Sequence, residues 1–199
     1  DMAHMVPVDF WHWAIAKVKE GYPSVVFIAE LYDVGIYHNY IHYGGFDYLY
    51  DKVNLYDRLC EIVKYGASAS ALTECWQRVD GLQDHMLNFL ENHDEQRVAS
   101  SQLFGSAEKA FPALLVSATM STSPFMAYQG QELGENAAGA MGFSGDDGRT
   151  SIFDYCSIPT LVRWYNNGNC GIQKLNNKER KIRAFYKNCL LYTSDAADE

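Results

Sequence analysis

Short apolar runs that end in polar or charged residues alternate with helix-like patterns along this chain. The runs are 24–30 (SVVFIAE), 45–50, 86–92 (MLNFLEN) and 123–128 (SPFMAY). The helical patterns cover residues 7–20, about 55–66, about 106–120 and 176–188. Alternation of buried strands with helices is typical of βα units in a parallel sheet. The sequence therefore predicts an α/β fold.

Apolar spacing supports the first and the last of these helices, and the last is basic and amphipathic. Phe10, Trp13 and Ala14 recur at helical spacing in the first helix, and Ile182, Phe185 and Tyr186 share one face of the last. Gly66 is placed to end the second helix, and Ser106 to cap the third.

Four βα units correspond to half of a (β/α)8 barrel, since a complete barrel needs roughly 250 residues. With 199 residues, the chain is predicted to be the C-terminal half of a (β/α)8 TIM barrel, a truncated fragment. Its end, CLLYTSDAADE, resembles one reading frame of a transposon-type sequencing adapter. We therefore expect 1–188 to be a partial catalytic domain and 189–199 not to be native; a natural acidic tail is the alternative.

Composition excludes several classes of function. A net charge of −9 argues against a nucleic-acid binder that is held by phosphate contacts. No apolar run approaches the roughly 18 residues that a membrane helix needs. Five cysteines are scattered without a C-x-x-C pair, so zinc and redox motifs are unsupported. No compartment and no oligomeric state are predicted.

Carboxylates and histidines follow the predicted strands. They form three groups, which are Asp1 with His4, Glu30 with Asp33, and His93 with Asp94. The C-terminal ends of barrel strands hold the active site. Retaining glycosidases need two carboxyl groups roughly 5–5.5 Å apart, one as nucleophile and one as acid and base. Strand-end carboxylates of neighbouring strands can meet this requirement.

Five segments together resemble the alpha-amylase family, glycoside hydrolase family 13. FIAELYD is similar to the family's general-acid strand, FLENHDEQR to its Asn-His-Asp motif and DMAH to the end of its nucleophile motif. PFMAYQGQELG resembles the eighth-strand segment, and GDDGRTSIFDY resembles bacterial members. Their order and spacing match across almost all of residues 1–188, which implies a barrel segment from the end of strand 4 to helix 8.

The resemblance implies a role for each motif residue. Asp1 would be the nucleophile, and Glu30 the general acid that later acts as base. We expect burial in its apolar strand to raise the pKa of Glu30 and keep it protonated. Asp94 would be the third carboxylate, which orients sugar hydroxyls, and His93 would donate a hydrogen bond to the same sugar.

Other residues are assigned roles in sugar binding, packing or loop structure. His4 is either a sugar ligand or a packed loop histidine, and Tyr32 is either a stacking platform or plain packing. Arg97 is predicted to pair with nearby carboxylates as a structural clamp. Asp33 and Asp47 are expected to accept loop hydrogen bonds, and Trp11 and Trp13 to pack on a helix. Gln131 and Glu132 are expected to cap the last strand. Asp146 and Asp147 are expected to form a solvated turn rather than a calcium site.

The family resemblance implies hydrolysis of α-glucosidic bonds in starch or malto-oligosaccharide-type glucans by a retaining double displacement. The first alternative is a transglycosylase or isomerase with the same triad, such as a glucanotransferase or a trehalose-forming enzyme. The second is a non-catalytic family member that binds or scaffolds. No cofactor is required and no metal residue is assigned; Ca²⁺ would lie largely on the missing half. The isolated fragment is expected to be inactive.

Overall fold

Four parallel strands form one sheet in the computed structural model, which describes residues 2–139, 141–142, 145–153 and 155–195, with side chains up to residue 191. The strands are β1 (Ile28–Ala29), β2 (Tyr48–Tyr50), β3 (Met86–Phe89) and β4 (Phe125–Met126), paired in chain order. Ala29 lies opposite Leu49, Tyr50 opposite Leu87, and Phe89 opposite Met126. The predicted α/β fold with a parallel sheet is confirmed.

One helix precedes the first strand, and the others connect the strands or follow the last one. They are α1 (Val8–Gly21), α2 (Tyr37–His42), α3 (Asp57–Tyr65), α4 (Ala71–Arg78), α5 (Phe111–Thr119), α6 (Pro159–Tyr165) and α7 (Asn177–Asp195). We did not predict α2, α4 and α6, which are short helices of 6, 8 and 7 residues. None of the helices in the described ranges is both long and apolar enough to cross a membrane.

The first strand is shorter than predicted. Only Ile28–Ala29 of the run 24–30 pairs with β2, because β2 begins opposite Ile28. Val25 and Val26 precede this point and are 39% and 55% exposed. The apolar run therefore overestimates the strand, although it locates the strand's C-terminal end correctly.

The predicted helix over 7–20 is confirmed as α1, but the apolar residues that indicated it do not all lie on its buried face. Phe10 and Trp13 are 47% and 58% exposed, whereas Ile15 is buried. The helix packs through Ile15 and Trp11, whose ring contacts Phe46 edge-on and whose Nε1 donates to the carbonyl of Ala3 at 2.9 Å. The inward face is thus rotated from the one that spacing alone indicates, and helix packing is observed for Trp11 but not for Trp13.

The other helix predictions are largely confirmed. Gly66 ends α3 in the left-handed conformation (φ 71°), which glycine adopts without strain. Ser106 accepts a hydrogen bond from Glu108 N at the start of the Ala107–Ala110 turn that leads into α5. Ile182 and Tyr186 of α7 are buried in the core between the sheet, α3 and α5.

The last helix extends beyond the predicted end at 188. It continues to Asp195, and Cys189 is buried in the same core. Residues 196–199 lie outside the described residues. The assignment of 189–199 as non-native stays a prediction.

Candidate active site

Three of the predicted site residues meet at the C-terminal edge of the sheet. Glu30 directly follows β1, and His93 and Asp94 follow β3. One potential ligand atom from each lies within 4.8 Å of the others. The parallel order explains this convergence, because the carboxyl ends of neighbouring parallel strands share one edge. Asp1 lies outside the described residues.

Glu30 is buried and held by two hydrogen bonds. The Tyr32 hydroxyl donates to Oε1, and the backbone N–H of Met2 donates to Oε2 at 2.9 Å. Burial acts to raise the pKa of Glu30, but these two donors act to lower it, and the net shift is downward. The prediction of a raised pKa is therefore wrong for this structure. It rested on the apolar sequence of the strand, which does not show that Tyr32 and Met2 donate to Glu30.

Tyr32 contacts Glu30 rather than serving only as packing. Burial and the neighbouring Glu30 raise the pKa of Tyr32, so its hydroxyl keeps its proton and donates. Its ring lies 6.0 Å from that of His4 in a tilted arrangement. His4 is half-buried, and its Nδ1 has no hydrogen-bond partner within the described residues. Tyr32 thus lies beside Glu30 and His4 lies near Tyr32, and the roles of both side chains toward sugar stay predictions.

A tight turn presents His93 and Asp94. The side-chain oxygen of the buried Asn92 accepts from the N–H groups of Asp94 (2.9 Å) and Glu95 (2.8 Å). Nε2 of His93 lies 3.3 Å from Oδ2 of Asp94, and both side chains are partly exposed. An asparagine that bonds the backbone two residues on is a standard way to set such a turn. It leaves both side chains partly exposed at the edge of the sheet.

A buried ion pair lies beneath this turn. Arg97 and Glu91 are both 0% exposed, and Nη1 of Arg97 donates to Oε2 of Glu91 at 2.8 Å. Burial raises the pKa of Glu91 to about 7, and Arg97 and the Val98 N–H oppose that shift. The predicted carboxylate pairing of Arg97 is confirmed. Its partner Glu91 was not predicted, although it directly precedes the Asn-His-Asp motif.

Arg97 also joins distant segments of the site. Its Nε donates to Thr150 Oγ1 at 2.9 Å, and Nη1 also donates to the carbonyl of Gln129 at 2.9 Å. Its backbone N–H donates to the carbonyl of Gly148 at 2.7 Å. Gly148 has φ +79°, and a Cβ there would lie 2.7 Å from Ser100 Oγ, so this close approach requires glycine. Arg97 therefore ties the loop after β4 to the end of β3.

Replacing Arg97 by methionine should destabilise the complete protein by about 3–5 kcal/mol, because the carboxylate of Glu91 stays buried without its cation. Denaturant unfolding of wild type and variant measures the difference. Arg58→Met is the matched control, since Arg58 pairs with Glu61 at the exposed surface and should change stability by less than about 1 kcal/mol. Equal changes in the free energy of unfolding for both substitutions would contradict the structural role of the Arg97–Glu91 pair.

The predictions for polar side chains in loops are mostly confirmed. Asp33 accepts from Gly35 N at 2.8 Å, and Asp47 accepts from Phe27 N at 2.8 Å and pairs with Lys19. Gln131 accepts from Tyr128 N at 3.0 Å, just beyond β4, as a cap would. Asp147 accepts from Arg149 N at 3.0 Å within the turn, and Asp146 is exposed.

An apolar depression of about 430 Å³ opens beside the carboxylate cluster. Its walls are side chains on one face of the sheet, together with the cluster and the loop after β4: Ile28, Glu30, Tyr50, Leu87, His93, Met126 and Ile152. Glu30, His93 and Asp94 have the spacing of a metal-binding group, and both oxygens of Glu30 accept hydrogen bonds, from Met2 N and the Tyr32 hydroxyl.

Comparison with known proteins confirms the resemblance to the alpha-amylase family of glycoside hydrolases. The similar solved structures are family 13 enzymes, and a curated relative is a maltosyltransferase of the same family. No protein-family model matches the chain.

Three relatives show the extent of the similarity. The chain is 31% identical over 139 residues to an alpha-1,4-glucan:maltose-1-phosphate maltosyltransferase of Rhodospirillum rubrum. The aligned segment covers 69% of this chain and 19% of the relative. A ligand-free cyclic alpha-maltosyl-(1→6)-maltose hydrolase from Arthrobacter globiformis superposes with a TM-score of 0.62 at 20% identity, covering 93% of this chain and 38% of that one. An alpha-amylase from Lactobacillus plantarum gives 0.57 at 20% identity, with 96% and 42% coverage.

The chain thus spans about a fifth of the maltosyltransferase and about two fifths of the structural relatives. At these identities, the solved structures show a shared fold.

Proposed function

We propose that the chain is the C-terminal half of a (β/α)8 catalytic barrel, and that the complete protein cleaves α-glucosidic bonds of starch or malto-oligosaccharide-type glucans with retention of configuration. The observation that carries the proposal is the meeting of Glu30, His93 and Asp94 at the C-terminal edge of the sheet. All three come from motifs whose order resembles that of the alpha-amylase family.

The reaction proceeds by two displacements. The carboxylate of Asp1 attacks the anomeric carbon, while Glu30 gives its proton to the departing glycosidic oxygen. Glu30 then removes a proton from water, which attacks the glycosyl ester and releases Asp1. The hydrogen bond from Met2 N to Glu30 supports this pairing, because Met2 directly follows Asp1 in the chain.

His93 and Asp94 act on the sugar rather than on the bond that breaks. The carboxylate of Asp94 accepts hydrogen bonds from sugar hydroxyls, and His93 donates one. These bonds strengthen as positive charge develops on the ring, so they favour the transition state over the ground state. Their partial exposure in the turn is consistent with this role.

The general acid must carry a proton before the first displacement. In this structure Tyr32 and Met2 lower the pKa of Glu30. A nearby negative charge acts in the opposite direction, since two carboxylates that share a site cannot both ionise easily. Asp1, the proposed nucleophile, supplies this charge in the complete site.

The exposed inner face of the sheet supports the half-barrel assignment. Ile28 is 46% exposed, and Tyr50 and Met126 are half-buried around the depression. In a closed barrel, such inward side chains pack against those of the remaining strands. Strands β1 and β4 each pair with one neighbour within the described ranges, so both edges are open for further strands.

Glycosyl transfer by the same carboxylates is the second candidate function. The similarity to a maltosyltransferase favours transfer over isomerisation. Transfer and hydrolysis share the covalent intermediate, and they differ in whether a sugar hydroxyl or water attacks it. A non-catalytic binding or scaffold role is disfavoured, because all three motif carboxylates are present.

Incubation of the complete protein with malto-oligosaccharides tests the proposal. Proton NMR of the first products should show the α-anomer, since double displacement retains configuration. If transfer dominates, added maltose acts as acceptor and products longer than the substrate should form. If hydrolysis dominates, the products should be shorter than the substrate. Initial release of the β-anomer, or no turnover of any α-glucan, would refute the proposed function.

A further inference from the structure

The turn that carries His93 and Asp94 is held from outside by the neighbouring βα connection. Glu95 follows Asp94 directly, and its two carboxylate oxygens have different partners. Oε1 lies 3.3 Å from Nζ of Lys52, and Oε2 accepts from the Tyr56 hydroxyl at 3.2 Å. Both partners belong to a single turn of π-helix, Lys52–Tyr56, between β2 and α3.

This π-helical turn is itself firmly anchored. Asp51 caps its start by accepting from Leu55 N at 3.3 Å, and the Tyr56 ring stacks on Phe89 of β3 with centroids 5.3 Å apart. The Lys52 ammonium lies 5.5 Å from the centre of the Tyr56 ring and pairs with Asp57 at 2.8 Å. Single π-helical turns are frequent at functional sites. Here the turn brings a cation and a hydroxyl to the same carboxylate.

The contacts of Glu95 constrain Asp94. Asn92 holds the backbone N–H groups of Asp94 and Glu95 from the inner side, while Lys52 and Tyr56 hold the Glu95 side chain from the outer side. The side chains of Lys52 and Glu95 are 21% and 20% exposed, so water screens this pair only in part. Burial acts to lower the pKa of Lys52, but Asp57 and Glu95 raise it above its usual value, which keeps the ammonium charged.

We infer that Lys52 and Tyr56 are positioning residues, which act through Glu95 to set the orientation of His93 and Asp94 toward the bound sugar. The inference rests on the proposed function for its kinetic consequence. Its mechanical part rests only on the contacts of Glu95. A shift of the turn would weaken interactions that are strongest in the transition state, so the loss should fall mainly on kcat.

Steady-state kinetics of the complete protein on malto-oligosaccharides test the inference. Lys52→Met, Tyr56→Phe and Glu95→Gln should each lower kcat about tenfold or more, because small misplacements of reacting groups are costly. KM should stay within about threefold of wild type. Lys52→Arg should restore most of the activity, because it restores the cation.

The double variant and a matched control separate positioning from general damage. Lys52→Met/Glu95→Gln should lose no more activity than the worse single variant, since both substitutions break the same link. Glu61→Gln removes a carboxylate from the solvent-exposed Arg58–Glu61 ion pair on α3, and should keep wild-type kcat. Wild-type kcat in all three positioning variants, or the same loss in Glu61→Gln, would overturn the inference.

A crystal structure of the Lys52→Met protein gives a readout that is independent of activity. The Asp94 carboxylate should move by about 1 Å or more relative to Glu30, the scale at which catalysis suffers. An unmoved turn would overturn the inference whatever the kinetics. A moved turn in a protein that cleaves no α-glucan would support the mechanical link while refuting the proposed function.

Discussion

Glu30→Gln in the complete protein should lower kcat on malto-oligosaccharides by roughly 10²–10⁴-fold, the contribution of a positioned general acid and base. The loss should be much smaller for the first step with an activated aryl α-glucoside. A good leaving group departs without a proton, so the missing acid matters less. Glutamine keeps the shape of the side chain, and its carbonyl oxygen can still accept from Met2 N or Tyr32.

Measurement of kcat/KM on both substrate types separates acid catalysis from misfolding. Glu132→Gln is the matched control, because Glu132 lies in the turn after β4 and outside the carboxylate cluster. It should keep wild-type rates on both substrates. An equal loss on good and poor leaving groups in Glu30→Gln would count against Glu30 as the acid.

Asp1→Asn should abolish turnover of all substrates while leaving the fold of the complete protein intact. An amide cannot form the glycosyl ester, and covalent catalysis supplies far more than a hundredfold of the rate. Unlike Glu30→Gln, the defect should not depend on the leaving group, because the nucleophile is required for every substrate. The expected kcat lies below about one hundredth of wild type on both substrate types.

Asp9→Asn provides the comparison for Asp1→Asn. It makes the same chemical change a short distance along the chain, at the start of α1, where Asp9 accepts from the Tyr43 hydroxyl at 2.8 Å. Normal activity in Asp9→Asn and a normal melting curve in both variants would locate the defect at the nucleophile. Retention of more than about a hundredth of the activity in Asp1→Asn would exclude that role.

Local patterns were sufficient for the order of the strands and for the approximate positions of their C-terminal ends. The predicted runs ended at Glu30 and Asn92, and in the structure β1 and β3 end shortly before these residues, at Ala29 and Phe89. Strand ends are predictable because the change from apolar to polar residues marks where the chain leaves the core. The helix stop at Gly66 was predictable for a similar reason, since left-handed backbone favours glycine locally.

Patterns that depend on a partner were less informative. The inward face of α1 is determined by where Phe46 and Tyr40 lie, and neither is close to the helix in sequence. The pairing of β1 begins only at Ile28, because β2 starts opposite that residue. The apolar run begins earlier in the sequence. Short helices such as α2 and α6 were missed because tertiary contacts, rather than a repeated period, support them.

The sequence by itself determined the parallel α/β pattern, the motif residues at the strand ends and the resemblance to the alpha-amylase family. These are local properties, readable from residue type and spacing. Only the tertiary structure decided that Tyr32 and Met2 lower the pKa of Glu30, that Glu91 is the buried partner of Arg97, and that Lys52 and Tyr56 hold Glu95. Most of these contacts join segments that are distant in sequence, and electrostatic effects depend on distance and burial, which residue order alone does not specify.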